Sequence, residues 1–318
     1  MTVCIAAMCE TASGSPKIVF SADRLISAGL QFEHAVGKIS KLTDYCYLMV
    51  SSNDSLRSDM IVKEVLLKMF EKALTIKEIA ELFSTTCIKE MRKQQEHDIL
   101  GPLGLTYDSF HQKLSNMPPE LVREITTSLT YYQYKFATDF LIVGIDMGPW
   151  PMAHIYTVNQ TGECKLHDYL GFAVIGSGYD LAFPELTKFP YFPLIIGWQD
   201  ALIRVYDAKK VAERMGGVGQ QTNLVVLNIN IDEKTKVRTP VVWMPGEDTF
   251  NVLDRGIERL KKTEVETMRS VHEELKESLA KAKAQAKPEA TTATQQSPKT
   301  DSVLQSEKVG SPEEPTKT

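Results

Sequence analysis

The sequence predicts a four-layer α/β sandwich, two mainly antiparallel sheets facing each other with helices over their outer faces. Three observations carry this reading. Blocks along the chain run sheet, helix pair, sheet, helix, sheet; the strand segments are strongly apolar; and the helices come in groups instead of alternating singly with strands.

The first strand is TVCIAAMC, an unbroken apolar run beginning at residue 2, and IVFSAD pairs with it through the turn-forming ETASGSPK. KISKL and CYLMVSS follow around the turn TDY, each apolar enough to be covered on both sides. From Asp54 the period changes. Met60, Ile61, Leu66, Leu67, Phe70 and Leu74 recur near helical spacing, and Ile76 to Met91 repeats the pattern. HDILGPLGLTYDSFHQKLSNMPP, rich in Gly, Pro and Asn, reads as a long irregular insertion, with another helix starting near Pro119. Strands return in DFLIVGID, AHIYTV, CKLHDY and GFAVIGSG. A helix through WQDALIRVYDAKKVAERM then precedes the last two strands, NLVVLNINI and VVWM. The expected domain is 1–246, with a helical insertion at about 54–138. An amphipathic helix over 247–286 carries Leu253, Ile257, Leu260, Met268, Val271, Leu275 and Leu279 on one stripe, and 287–318 has too little to bury and is expected to be disordered.

Composition bounds the function. The chain has 318 residues, 43% hydrophobic and 24% charged, with a net charge of -5 and a pI near 5.8. Binding to nucleic acid or to an anionic membrane surface would need clustered Lys and Arg, and no such cluster is present, so neither partner is expected. No stretch reaches the roughly 18 apolar residues of a membrane span, and the first residues lack a secretory signal, so a cytoplasmic location is expected. Cys4, Cys9, Cys46, Cys87 and Cys164 are scattered without any CxxC, which argues against a disulfide framework or a zinc site; Cys4 and Cys9 should point to opposite faces of one strand. GGVGQ lacks the GK[ST] of a phosphate loop. VHEEL is half a zincin motif, with Lys276 where the second His would stand. No metal and no cofactor are expected.

Thr2 is the chemically informative residue. Initiator methionine is removed when the next residue is small, and a chain starting at Thr2 carries a hydroxyl beside its own α-amine. That amine, with a reference pKa of about 7.7 to 8.0, can accept the hydroxyl proton near neutral pH, so the nucleophile supplies its own base. Such a residue must be held rigidly, which accounts for a strand that starts at once.

Four segments together resemble the proteasome β-subunits and bacterial proteasome-like peptidases, members of the N-terminal-nucleophile hydrolases. TVCIAAMC is similar to the family's leading strand, with Thr2 as nucleophile; SADR to its second-strand motif, with Asp23; GKISKL to the segment bearing its lysine, Lys38; and VIGSG to a later turn, with Ser177. The resemblance covers about residues 1 to 245. It implies the N-terminal-nucleophile hydrolase fold and a threonine peptidase acting through an acyl-enzyme. Lys38 would disfavour protonation of the amine, Asp23 would hold Lys38, and Ser177 would orient the amine. It also implies an oxyanion hole at the backbone N–H of Ser52, where the family usually has Gly. Before the strand NLVVL the family commonly has an Asp and, three residues later, a Ser followed by Gly-Gly; this chain has ERMGGVGQQTN, with Glu213 as candidate supporting acid. The implied partners are a peptide or unfolded-protein substrate, further copies in a homo-oligomeric ring, and an ATP-dependent unfoldase. Two alternatives stand beside the peptidase: a catalytically silent proteasome-like structural subunit, and an amidohydrolase of the same superfamily acting on non-peptide amides.

Overall fold

The computed structural model describes residues 2–12, 15–28, 30–33, 38–70, 72–132, 137–232, 234–235 and 237–285. The tail expected to be disordered, 287–318, lies outside them. The chain divides into two compact units, Met1–Leu260 and Lys261–Thr318.

The first unit contains two antiparallel five-stranded sheets. One is built from β1 (Cys4–Cys9), β2 (Lys17–Asp23), β10 (Phe172–Ile175), β11 (Thr222–Ile231) and β12 (Arg238–Trp243) in the order β10-β1-β2-β11-β12. The other is built from β5 (Ile39–Thr43), β6 (Cys46–Ser52), β7 (Thr138–Asp146), β8 (Met152–Asn159) and β9 (Cys164–Leu166) in sequence order. A separate ladder pairs β3 (Leu25–Ala28) with β4 (Leu30–Glu33). Helices α1 (Ser55–Met69), α2 (Ile76–Gln95), α3 (Tyr107–Lys113) and α4 (Pro119–Tyr132) lie between β6 and β7, and α5 (Tyr179–Thr187) and α6 (Trp198–Ala212) between β10 and β11.

Side-chain parity builds the layers. All six residues of β1 are buried. Cys4, Ala6 and Met8 join Phe20, Tyr47, Met49, Leu141 and Val143 in a core between the two sheets. Ile5, Ala7 and Cys9 face the other way, onto Leu186 of α5 and Leu202 and Val205 of α6. The second sheet turns Leu48, Phe140 and Ile142 to Ile61 and Val65 of α1 and Ile79 and Phe83 of α2. The order is therefore helix, sheet, sheet, helix, and Cys4 and Cys9 occupy opposite faces as expected. Each large side chain buried this way contributes roughly 1.5–3 kcal/mol.

Local chemistry starts the helices. Asp54 caps α1 by accepting from the Arg57 N–H, and Thr75 and Glu78 form a reciprocal capping box at α2.

Several expectations are corrected. β5 is an edge strand with one neighbour, so Ser40 and Lys41 are exposed instead of covered on both sides. On α1 the burial falls on Ile61 and Val65, while Met60, Leu67 and Phe70 are exposed, because the sheet contacts a narrower stripe than the apolar residues mark. The insertion expected to be irregular is largely helical: a π turn at Glu96–Leu100, 3-10 turns at Gly101–Leu103 and Leu114–Asn116, and α3 between them. Leu100, Leu105, Phe110 and Ile125 give it a small core of its own.

Helix α7 (Glu247–Gln285) begins in the first unit, where Leu253 and Ile257 are buried in the cluster with α6 and β1. In the second unit the same helix exposes Val265, Met268, Val271, Leu275 and Leu279. No helix among the described residues is long and apolar enough to cross a membrane.

Candidate active site

β1 lies between β10 and β2, and this central place grips the chain from its first residues. The Val3 N–H donates to Asp23 Oδ1 (3.0 Å), the Asp23 N–H donates to Val3 O (3.2 Å), and the Gly178 N–H donates to Thr2 O (3.2 Å). Thr2 is buried at 5% exposure.

Asp23 ends β2 with a fully buried side chain. Besides Val3, its carboxylate accepts from the N–H of Leu25 (3.1 Å) and of Gly219 (3.1 Å), both at Oδ2. The Lys38 ammonium completes the set at 2.9 Å and 3.0 Å from the two oxygens. Five hydrogen bonds from four donors to one carboxylate offset much of the several kcal/mol that desolvating such an ion pair costs, and they leave Asp23 as an anchor, with no free oxygen to act as a base. Lys38 stands just before β5, so this ion pair bridges the two sheets. Its Nζ also donates a hydrogen bond to Thr2 Oγ1.

Ser177 comes from the turn between β10 and α5. Its Oγ accepts from the Thr2 nitrogen at 3.0 Å and lies 3.3 Å from Thr2 O, to which it can donate. The glycines beside it are required by space. A Cβ on Gly176, whose φ is +93°, would lie 2.3 Å from Thr2 O, and one on Gly178 would lie 2.8 Å from Val3 Cβ. The Gly-Ser-Gly turn is thus shaped to the backbone of Thr2 and Val3.

Thr2, Asp23, Lys38 and Ser177 are therefore together. Ser52 is divided. The Asn53 N–H donates to Ala137 O of the β7 side, and N–H direction alternates along a strand, so the Ser52 N–H points away from β7, toward the side of β5 and Lys38. The Ser52 hydroxyl turns elsewhere, to Thr138 Oγ1 (2.7 Å) and Asp54 O (2.8 Å). Glu213 does not bond to the quartet. Its carboxylate is taken by Lys209 (2.5 Å) and Lys210 (3.1 Å).

Sequence reasoning missed Lys209, Gly219 and Ser51. Lys209 falls on the stripe of α6 that buries Leu202, Val205 and Ala212, and a lysine on an apolar stripe with a glutamate four residues on was the available signal. Gly219 contributes only its backbone. The Ser51 hydroxyl lies 2.9 Å from the position of a Cβ on Gly176, and Ser51 pairs across the sheet with Asp139, whose carboxyl is pushed up by burial. Burial also pushes the Cys4 thiol far up, which leaves it an inert neighbour. Among the described residues no three His, Cys, Asp or Glu side chains are placed to hold a metal ion. No protein-family model matches the chain, and no curated protein matches its sequence.

Chemically, the arrangement sets a hydroxyl against a fixed cation and beside its own residue's nitrogen. With Met1 removed, that nitrogen is an amine within reach of both Thr2 Oγ1 and Ser177.

Proposed function

We propose that this chain is a threonine peptidase with the N-terminal-nucleophile hydrolase fold and a proteasome-like mode of action, activated by removal of Met1. The observation that carries the reading is Lys38 Nζ, bonded at once to Thr2 Oγ1 and to both oxygens of Asp23. The Thr2 amine takes the hydroxyl proton, and Oγ1 attacks the carbonyl carbon of an amide. Lys38 lowers the cost of negative charge on the oxygen, and Ser177 holds the amine in line. The Ser52 N–H faces the developing oxyanion. The Thr2 ammonium returns its proton to the leaving amine, which departs and leaves an ester on Oγ1. Water, deprotonated by the same amine, hydrolyses that ester and restores Thr2. No step requires a metal or cofactor. A peptide or unfolded-protein substrate, a homo-oligomeric ring, an ATP-dependent unfoldase and a cytoplasmic location belong to this reading through the family resemblance.

The test is intact mass and N-terminal sequencing after incubation with a peptide epoxyketone, which requires both the hydroxyl and a free amine. The expected result is one adduct on a chain starting at Thr2, absent in Thr2→Ala. Retention of Met1, or no adduct on a chain with free Thr2, overturns the reading.

A further inference from the structure

We propose that Lys209 is a positioning residue for the candidate active site: its buried ammonium clamps the segment 213–220 so that the Gly219 N–H holds Asp23, and through Asp23 the Lys38 cation at Thr2. This inference rests on the proposed hydrolytic reading and extends it to a residue outside the quartet.

The Lys209 side chain is fully buried. All three ammonium hydrogens have acceptors: Glu213 Oε1 at 2.5 Å, Gly219 O at 2.9 Å and Gln220 O at 2.8 Å. Gly219 is bound at both ends, its carbonyl by Lys209 and its N–H by Asp23 Oδ2 at 3.1 Å. It also has no space for a side chain, since a Cβ there would lie 2.7 Å from Leu25 Cβ and 3.2 Å from Asp23 Oδ2. The route from α6 to the nucleophile is thus a continuous set of bonds, Lys209 to Gly219 to Asp23 to Lys38 to Thr2.

An ammonium is costly here. Burial pulls the Lys209 pKa down, against the opposing pull of the Glu213 hydrogen bond and charge. An apolar side chain would fill the stripe of α6 without that cost, so the ammonium is accounted for by what it binds. The charged groups facing it are Glu213 and Lys210 of its own region and Asp23 of β2. Those around Thr2 are Lys38 and Asp23, with Asp139 contributing through its field at Cys4.

The test uses the purified full-length chain and reads the Thr2 amine directly, by its rate of carbamylation with cyanate against pH, resolved by mass spectrometry. Lys209→Met leaves the Glu213 carboxylate without its buried cation. The added negative field favours the protonated amine, and the midpoint moves up by about 0.5 pH unit. A merely structural role would lower the stability of Lys209→Met without moving this midpoint. In parallel, the rate of epoxyketone addition at saturation falls about 10- to 100-fold in Lys209→Met, from displacement of Asp23 and Lys38. Should Lys209→Met fail to fold, Lys209→Arg carries the test: it keeps the charge but not the three-acceptor fit of the ammonium, and the saturating rate of epoxyketone addition is expected to fall about 10-fold. A midpoint and a saturating labelling rate both equal to wild type in every folded variant overturn this inference and leave the hydrolytic reading standing. A chain that keeps Met1 overturns both, and a titrating Thr2 amine that forms no adduct overturns only the hydrolytic reading.

Discussion

A Cβ on residue 176 would stand 2.3 Å from the carbonyl oxygen of Thr2, and Gly176 holds a φ of +93° that side chains rarely adopt. Both constraints act at one position. Gly176→Ala is therefore expected to destabilise the fold by about 2 kcal/mol or more and to displace Ser177 from the Thr2 nitrogen. Urea denaturation together with the epoxyketone reaction checks this: stability and labelling should fall together. A variant of wild-type stability that labels normally would show that the close approach has no consequence.

Asp23 and Lys38 separate structure from chemistry. Asp23 accepts from four donors, three of them the backbone N–H groups of Val3, Leu25 and Gly219, so losing its charge disturbs both sheets at their junction. Asp23→Asn is expected to cost about 3 kcal/mol by leaving the Lys38 ammonium, at 13% exposure, without its anion. Lys38→Met leaves Asp23 with its three backbone donors and should cost less stability, while reducing labelling of Thr2 by about 100-fold or more. Chemical denaturation and labelling kinetics on the two variants check the order.

Much of the layered fold was legible because burial on both faces leaves continuous apolar runs, as in β1 and β7, and those runs say which strands are central. Thr2, Asp23, Lys38 and Ser177 could be singled out because each stands at a strand end or turn within a short recognisable segment. Lys209 was half legible for a physical reason. Its partner Glu213 stands four residues on in the sequence, whereas the carbonyls of Gly219 and Gln220, which it also binds, leave no mark there. Helix α5 was missed because Pro184 lies inside it and only nine residues carry its pattern. The short ladder of β3 and β4 has too few residues for an alternation to register.

The two ends of α7 should differ in importance. Leu253 and Ile257 are buried against α6, and Tyr206 donates its hydroxyl hydrogen to Asp254 at 2.8 Å. A chain ending at Leu260 keeps these contacts and is expected to melt within about 2 °C of the full-length protein. A chain ending at Gly246 loses them and should be less stable by about 3 kcal/mol or more. Thermal melts of the two truncations check the ranking, and equal losses would contradict it.

His154 on β8 and His167 just after β9 should respond to pH with opposite sign. Burial alone would pull His154 down, but the hydrogen bond and charge of Asp168 at 2.6 Å, with Asp146 at 3.5 Å, outweigh it and raise its pKa. A raised folded value means stability that is fully present below about pH 6.5, the unfolded value, and is lost as pH rises through the folded one. His167 is pulled down by burial, aided by Lys165, and its Nε2 is 2.8 Å from Thr157 Oγ1. Its unfolded form binds the proton more readily, so it withdraws stability as pH falls below about 6.5. Urea denaturation at pH 5 and pH 9 should accordingly show His154→Gln losing more stability at the acid end, while His167→Gln loses less there than at pH 9. The same pH dependence in both variants would mean that the Asp146 and Asp168 carboxylates do not govern His154.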